Sequence, residues 1–260
     1  MQITIPTNYH PSWENFFNQP FVQNEIERIN QELEQSAGSN GVQFTPNPAL
    51  VLRFALQDLH AVKAVWIGRD PYPQPNIATG RCFEVNGAND WFSPEINISL
   101  KNIVKLLHKS HFNHKTAKPI QAVREDIQSG AFPILPPNEA FAHWASEGVL
   151  FLNSAFTCGI GGFEQAGSHE KLWKPFFKHL LSYIANSNDE IAYFLWGKAR
   201  DYGKLLIRQG VGEDWLYPSK HPCTNGDKGE QDGYLNGYKR NTDFLNNPCF
   251  YETKAQIKWV

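Results

Sequence analysis

Four short apolar runs, Val62 to Ile67, Val149 to Leu152, Ile191 to Trp196 and Trp215 to Tyr217, constrain what this chain can fold into more than any other feature. Near-continuous apolarity over three to six residues is the pattern of strands buried on both faces. Helical periodicity separates them: Asn24 to Leu33 and Pro48 to Leu59 precede the first run, Leu100 to His108 and Glu139 to Ser146 lie between the first and second, Lys171 to Ala185 follows the second, Lys198 to Gln209 the third, and Tyr238 to Leu245 the last. Strands that alternate with helices pair in parallel, with helices over both faces. The expectation is an α/β fold: one domain spanning residues 1–260, with a central, mostly parallel four-stranded sheet flanked by helices. A helical N-terminal segment (1–60) would precede a core at 61–246.

At 260 residues with 41% hydrophobic side chains, such a core needs no staples. The four cysteines, Cys82, Cys158, Cys223 and Cys249, form no C-x-x-C pair, so neither a structural metal nor a disulfide is expected. The N-terminus lacks the basic end and apolar stretch of a signal peptide, and no run approaches the ~20 residues of a membrane span. A soluble intracellular protein with no membrane partner is expected, and Asn97-Ile98-Ser99 reads as a chance match to a glycosylation acceptor. The net charge of −2 lacks the global footprint of a nucleic-acid binder. Any phosphate-backbone contact must come from a local patch, for which the basic clusters at Lys101 to Lys118 and Lys198 to Lys204 are candidates, although such runs also serve as solvated helix faces.

Open parallel sheets bind ligands beyond the carboxyl ends of their strands. The first run ends in Gly68-Arg69-Asp70-Pro71-Tyr72-Pro73, which delivers a carboxylate into a Gly/Pro-stiffened turn with an aromatic ring two residues on. Asn153 follows the second run, and Ser219-Lys220-His221-Pro222 follows the last. Singly, each has an ordinary explanation: Asp70 caps a turn, Asn153 satisfies loop backbone, His221 is a loop histidine. Together they offer a carboxylate, an amide and an imidazole to one crevice, a set that can activate water, read the edge of a planar heterocycle and stabilise an oxyanion.

Seven segments in order resemble the motifs of family 1 uracil-DNA glycosylases: Gly68 to Pro73 (G-Q-D-P-Y-H in the family), Gly80-Arg81-Cys82-Phe83 (G-L-C-F), Ser99-Leu100-Lys101-Asn102 (S-L-K-N), Leu150-Phe151-Leu152-Asn153 (L-L-L-N), Ala166-Gly167-Ser168-His169 (A-N-S-H), Phe194-Leu195-Trp196-Gly197 (L-L-W-G) and His221-Pro222-Cys223 (H-P-S). The resemblance implies an enzyme that swings a nucleotide out of the DNA stack into a pocket. In it, Phe83 stacks on the base, the Asn153 amide pairs with its edge, and Tyr72 stands against the C5 position where thymine carries a methyl group. Asp70 positions the attacking water, and neutral His221 donates to the departing base. Ser99, Ser168, His169 and Cys223 match phosphate-gripping positions. The resemblance implies DNA as partner, no cofactor and a monomer, in the cytoplasm or nucleoid if the source is bacterial.

The departures cluster around the pocket. Arg69 replaces a glutamine, and its guanidinium is a candidate to bind a phosphate or a polar base substituent. Pro73 replaces a histidine, and Cys223 a serine. The His221 loop lacks the leucine with which the family fills the vacated stack, leaving Leu235 or Tyr234 as candidate wedges, and Gly226 to Asp232 is acidic where DNA contacts are expected. Residues 84–98 and 110–140 read as insertions. Three readings stay open at this level: excision of uracil, excision of a modified pyrimidine in antiviral defence, and a non-catalytic scaffold that binds DNA or a replication partner.

Overall fold

The computed structural model describes residues 2–36, 43–162, 165–224 and 243–260. Strands β1 (Ala64–Gly68), β2 (Val149–Asn153), β3 (Ala192–Trp196) and β4 (Leu216–Ser219) form one sheet in the order β2-β1-β3-β4. Every pairing in it is parallel. The strands are buried along their whole length, which accounts for the uninterrupted apolar runs.

Alternation along each strand divides the interior into two cores. Val65, Ile67, Leu150, Leu152, Tyr193 and Leu195 face one layer. That layer contains the helices α1 (Pro20–Ser36) and α5 (Glu170–Ala185). Ala64, Trp66, Phe151, Phe194 and Trp196 face the other. It contains α2 (Ile98–His111), α3 (Ile120–Gln128) and α4 (Pro137–Ser146), and Trp259 from the C-terminus. The fully buried Trp66 lies at the centre of this second core, ringed by Trp144, Phe151, Phe194, Trp196 and Trp259 at centroid distances of 5.0–5.8 Å. The N-terminal segment belongs to the first core, with Trp13, Phe16 and Phe17 buried and Phe16 edge-on to Phe176 of α5.

Several elements differ from expectation. The helix expected over Pro48 to Leu59 ends at Val51 and continues as separate 3-10 turns, Arg53–Leu56 and Leu59–Ala61. The N-terminal segment captures its carbonyls: His10 N donates to Ala55 and Trp13 Nε1 to Gln57. The Lys198 to Gln209 helix opens as a 3-10 turn (Gly197–Tyr202) before α6 (Gly203–Arg208). The last strand begins one residue late and extends through Pro218, which is tolerated because β4 is an edge strand. Of the helix expected at Tyr238 to Leu245, residues 238–242 lie outside the described residues, and Phe244–Asn246 is a 3-10 turn.

The stretch read as an insertion at 110–140 contains α3, whose Ile120, Val123 and Ile127 form a narrow apolar stripe. The two insertions brace one another: Trp91 Nε1 donates to Leu135 O at 2.9 Å, and Arg124 Nε to Trp91 O at 3.0 Å. A two-residue antiparallel pair, Phe44–Thr45 with Cys158–Gly159, stands apart from the main sheet. Among the described residues, no helix is long and apolar enough to cross a membrane.

Candidate active site

The carboxyl ends of β1, β2 and β3 open into a cavity of about 620 Å³. Asp70, Tyr72, Phe83, Asn153 and His221 all line it, together with Arg69, Ser99 and Cys223. Ser168 and His169 do not: Ser168 Oγ accepts from Gly159 N at 2.9 Å, and His169 Nδ1 lies 2.9 Å from Thr157 Oγ1. Leu235 and Tyr234, the candidate wedges, and the acidic stretch Gly226 to Asp232 lie outside the described residues.

Register explains how two of these groups meet. Gly68 pairs with Asn153 across β1 and β2, so their ends lie side by side. A Cβ at position 68 would come within 2.5 Å of Asn153 Oδ1 and 2.7 Å of Cys82 Cβ. Glycine therefore leaves the space that the amide occupies. Asn153 is only 5% exposed, and no described residue engages its side-chain amide, which leaves it available to a ligand in the cavity.

Phe83 has φ = +63°, a conformation that non-glycine residues adopt at a cost of about 1–3 kcal/mol. The strain lays the ring between the core and the cavity, 5.5 Å from Trp196 and 5.9 Å from His221. Polar contacts hold this turn: the buried Glu84 accepts from Arg53 and Arg81, at 3.2 and 3.1 Å, and also from Thr79 Oγ1. Tyr72 Oη accepts from Asn97 Nδ2 at 2.9 Å, while Asn97 Oδ1 caps α2 by accepting from Leu100 N at 3.0 Å. One asparagine thus ties the Tyr72 ring to the helix that presents Ser99, and burial lifts the phenol to about 12. Sequence reasoning missed this role, although an asparagine just before a helical run is an N-cap signal.

His221 is set by its own loop. Cys223 N donates to His221 Nδ1 at 3.1 Å, so the neutral ring carries its proton on Nε2. Burial lowers its pKa, which favours that neutral form. Asn102 Nδ2, buried in α2, donates to Pro222 O at 2.6 Å and pins the loop from the other side. Gly197, at φ = +63°, lies so close that a Cβ would fall 2.8 Å from His221 Cβ.

Asp70 Oδ2 accepts a short hydrogen bond from Gly167 N. Burial raises its pKa above the ordinary carboxylate value, while the Gly167 N–H and the Arg69 guanidinium pull it back down. Arg69 Nε pairs with Glu170 at 3.2 Å, and its guanidinium lies against Gly167, so its side chain runs along the rim of the cavity. Five basic side chains, Arg69, Arg81, Lys198, Arg200 and Lys220, line the cavity against one acid, Asp70. These basic side chains come from four separate segments, and four of them pair with carboxylates outside the lining: Arg69 and Lys198 with Glu170, Arg81 with Glu84, and Lys220 with Asp243. Among the described residues, no cluster of three or more His, Cys, Asp or Glu could hold a metal ion.

The fold places the protein in a class. Over 95% of its length it superposes on 90% of the wild-type UNG from Nitratifractor salsuginis (TM-score 0.64, 20% identity). It likewise superposes on 83% of the mimivirus uracil-DNA glycosylase (TM-score 0.66, 21% identity). This is the uracil-DNA glycosylase fold. In sequence, the chain is 27% identical to the uracil-DNA glycosylase of Wolinella succinogenes over 200 residues, 76% of this chain and 74% of that one. It is 29% identical to that of Pseudomonas aeruginosa over 213 residues, 81% of this chain and 79% of the relative. No protein-family model matches the chain. The chain is thus similar in sequence to uracil-DNA glycosylases and shares their fold.

Proposed function

We propose that this protein is a monofunctional DNA glycosylase that flips uracil out of DNA and hydrolyses its N-glycosidic bond, leaving an abasic site for base excision repair. One observation carries the reading: a carboxylate, an amide, a strained aromatic ring and a neutral imidazole, from distant parts of the chain, converge on one strand-end cavity. The names of its relatives, uracil-DNA glycosylases, agree with it.

In this reading DNA is the partner. The N-terminus of α2 with Ser99, and the basic side chains at the rim, receive phosphates. The flipped base stacks on Phe83 and pairs its edge with the Asn153 amide. Tyr72, held by Asn97, stands where a C5 methyl group would fall and so turns thymine away. As the bond from C1′ to the base nitrogen lengthens, positive charge develops on the sugar and negative charge on the base. The Asp70 carboxylate stabilises the first and orients a water toward C1′, accepting its proton as the new C–O bond forms. His221 Nε2–H donates to the base oxygen where the electron pair of the broken bond accumulates.

The test is incubation with single- and double-stranded oligonucleotides carrying one uracil, followed by alkaline cleavage of abasic sites. Strand breaks at uracil that vanish in Asp70→Asn are expected. Intact strands with the wild-type protein would overturn the proposal.

A further inference from the structure

Cys158 is a buried thiol that base release does not itself call for, yet it lies beside the carboxylate that does. It opens the short strand Cys158–Gly159, held in place by pairing with Phe44–Thr45. Its Sγ donates to Gln165 O at 2.9 Å and lies 3.6 Å from Ser168 Oγ. The adjoining Gly159 N donates to the same Ser168 hydroxyl at 2.9 Å. The strand therefore grips the loop on both sides of Gly167, the residue whose N–H holds Asp70 Oδ2. The Asp70 charge also raises the pKa of the thiol, after burial, the larger cause.

We infer that Cys158 is a positioning residue for the Asp70 carboxylate: by tethering Gln165 and Ser168 it sets the Gly167 N–H against one carboxylate oxygen and leaves the other to the attacking water. This rests on the proposed glycosylase role of Asp70. The charged and titratable groups that face Asp70 are Arg69, Glu170 and the thiol itself, with Lys198 acting through Glu170. Loosening the loop withdraws a hydrogen bond to the ionised form while Arg69 and Glu170 stay in place, so the carboxyl becomes harder to ionise. A misplaced catalytic group loses rate rather than substrate affinity.

The experiment uses the full chain with Cys158→Val, which fills the volume of the thiol without a donor, and Cys158→Ser, which keeps a donor. Uracil excision from a single-stranded oligonucleotide is followed across pH, and the Asp70 carboxyl is titrated by 13C NMR in the same proteins. The valine variant is expected to lose at least tenfold in kcat at pH 7 with KM within twofold. Its acidic limb and its Asp70 titration move to higher pH, and the serine variant recovers most of both. A valine variant whose limb and titration stay put, or a serine variant that behaves as valine does, overturns the inference. If thermal melts show the valine variant unfolded, Cys158→Ala takes its place under the same criteria. A wild-type protein that leaves uracil intact refutes the function instead, and the NMR titration still decides the role of Cys158.

Discussion

Gly68→Ala is a one-methyl change that should separate stability from chemistry. The new Cβ would meet Asn153 Oδ1 at 2.5 Å and Cys82 Cβ at 2.7 Å, where ordinary contacts begin at 3.4 Å. Either the amide retreats by about 0.9 Å or the strand ends part. Overpacking of this kind costs about 1–3 kcal/mol, offset by ~0.4–1 kcal/mol from the stiffer unfolded chain. A net loss of about 0.5–2 kcal/mol lowers Tm by roughly 1–8 °C for a domain of this size. The effect on catalysis is larger, because a 1 Å misplacement of a positioning group costs about 10²-fold, or about 2.7 kcal/mol of transition-state stabilisation. Single-turnover excision of uracil, alongside thermal melts, reads both quantities. On an Asn153→Ala background the same methyl should add almost no further kinetic loss, since the amide it displaces is already gone. A Gly68→Ala protein that keeps kcat/KM within threefold, or one whose loss adds in full to that of Asn153→Ala, would refute the reasoning that Gly68 exists to seat the Asn153 amide.

Other perturbations follow from the same geometry. Asn97→Ala removes both an N-cap and the anchor of Tyr72, so stability should fall by about 0.5–2 kcal/mol and the uracil-to-thymine ratio of kcat/KM should narrow. Asn102→Ala leaves the Pro222 carbonyl without its buried donor at a cost of about 1–3 kcal/mol, and the loosened His221 should lower kcat, measured by melts and by excision kinetics. Because burial raises the pKa of Asp70, its ionised form is less favourable in the folded than in the unfolded chain and costs stability at neutral pH. Asp70→Asn should therefore raise Tm at pH 7 while abolishing excision, and a lowered Tm would contradict this. The proposed mechanism needs Asp70 ionised and His221 neutral, and burial moves the first pKa up and the second down. Excision should thus be lost on acidification between the ordinary carboxylate and imidazole values, about 3.9 and 6.5, in kcat/KM measured from pH 4 to 8.

The strand ends were legible because burial on both faces imposes a composition that local sequence cannot hide. Val149 to Leu152 admits no polar residue, and Asn153 is the first position where one appears. Asp70 and His221 were found by the same reasoning, as the polar residues that follow buried runs. The Pro48 to Leu59 stretch misled because its periodicity is helical, while its backbone carbonyls bond to residues some 45 positions earlier. The helix α3 went unseen because three apolar residues among charges carry too weak a pattern.

By itself, the sequence determined the parallel α/β architecture and which polar residues stand at the strand ends, since both follow from side-chain periodicity and residue type. Only the tertiary structure decided which polar groups share a cavity and which are spent elsewhere. It turned Ser168 toward Gly159 and His169 toward Thr157, drew Arg69 to Glu170, and gave Asn97 and Asn102 their holds on Tyr72 and on the His221 loop. The physical reason is that a hydrogen bond depends on positions fixed to within a few tenths of an ångström, and for residues 9 to 120 apart in the chain only the packed sheet, helices and loops set those positions.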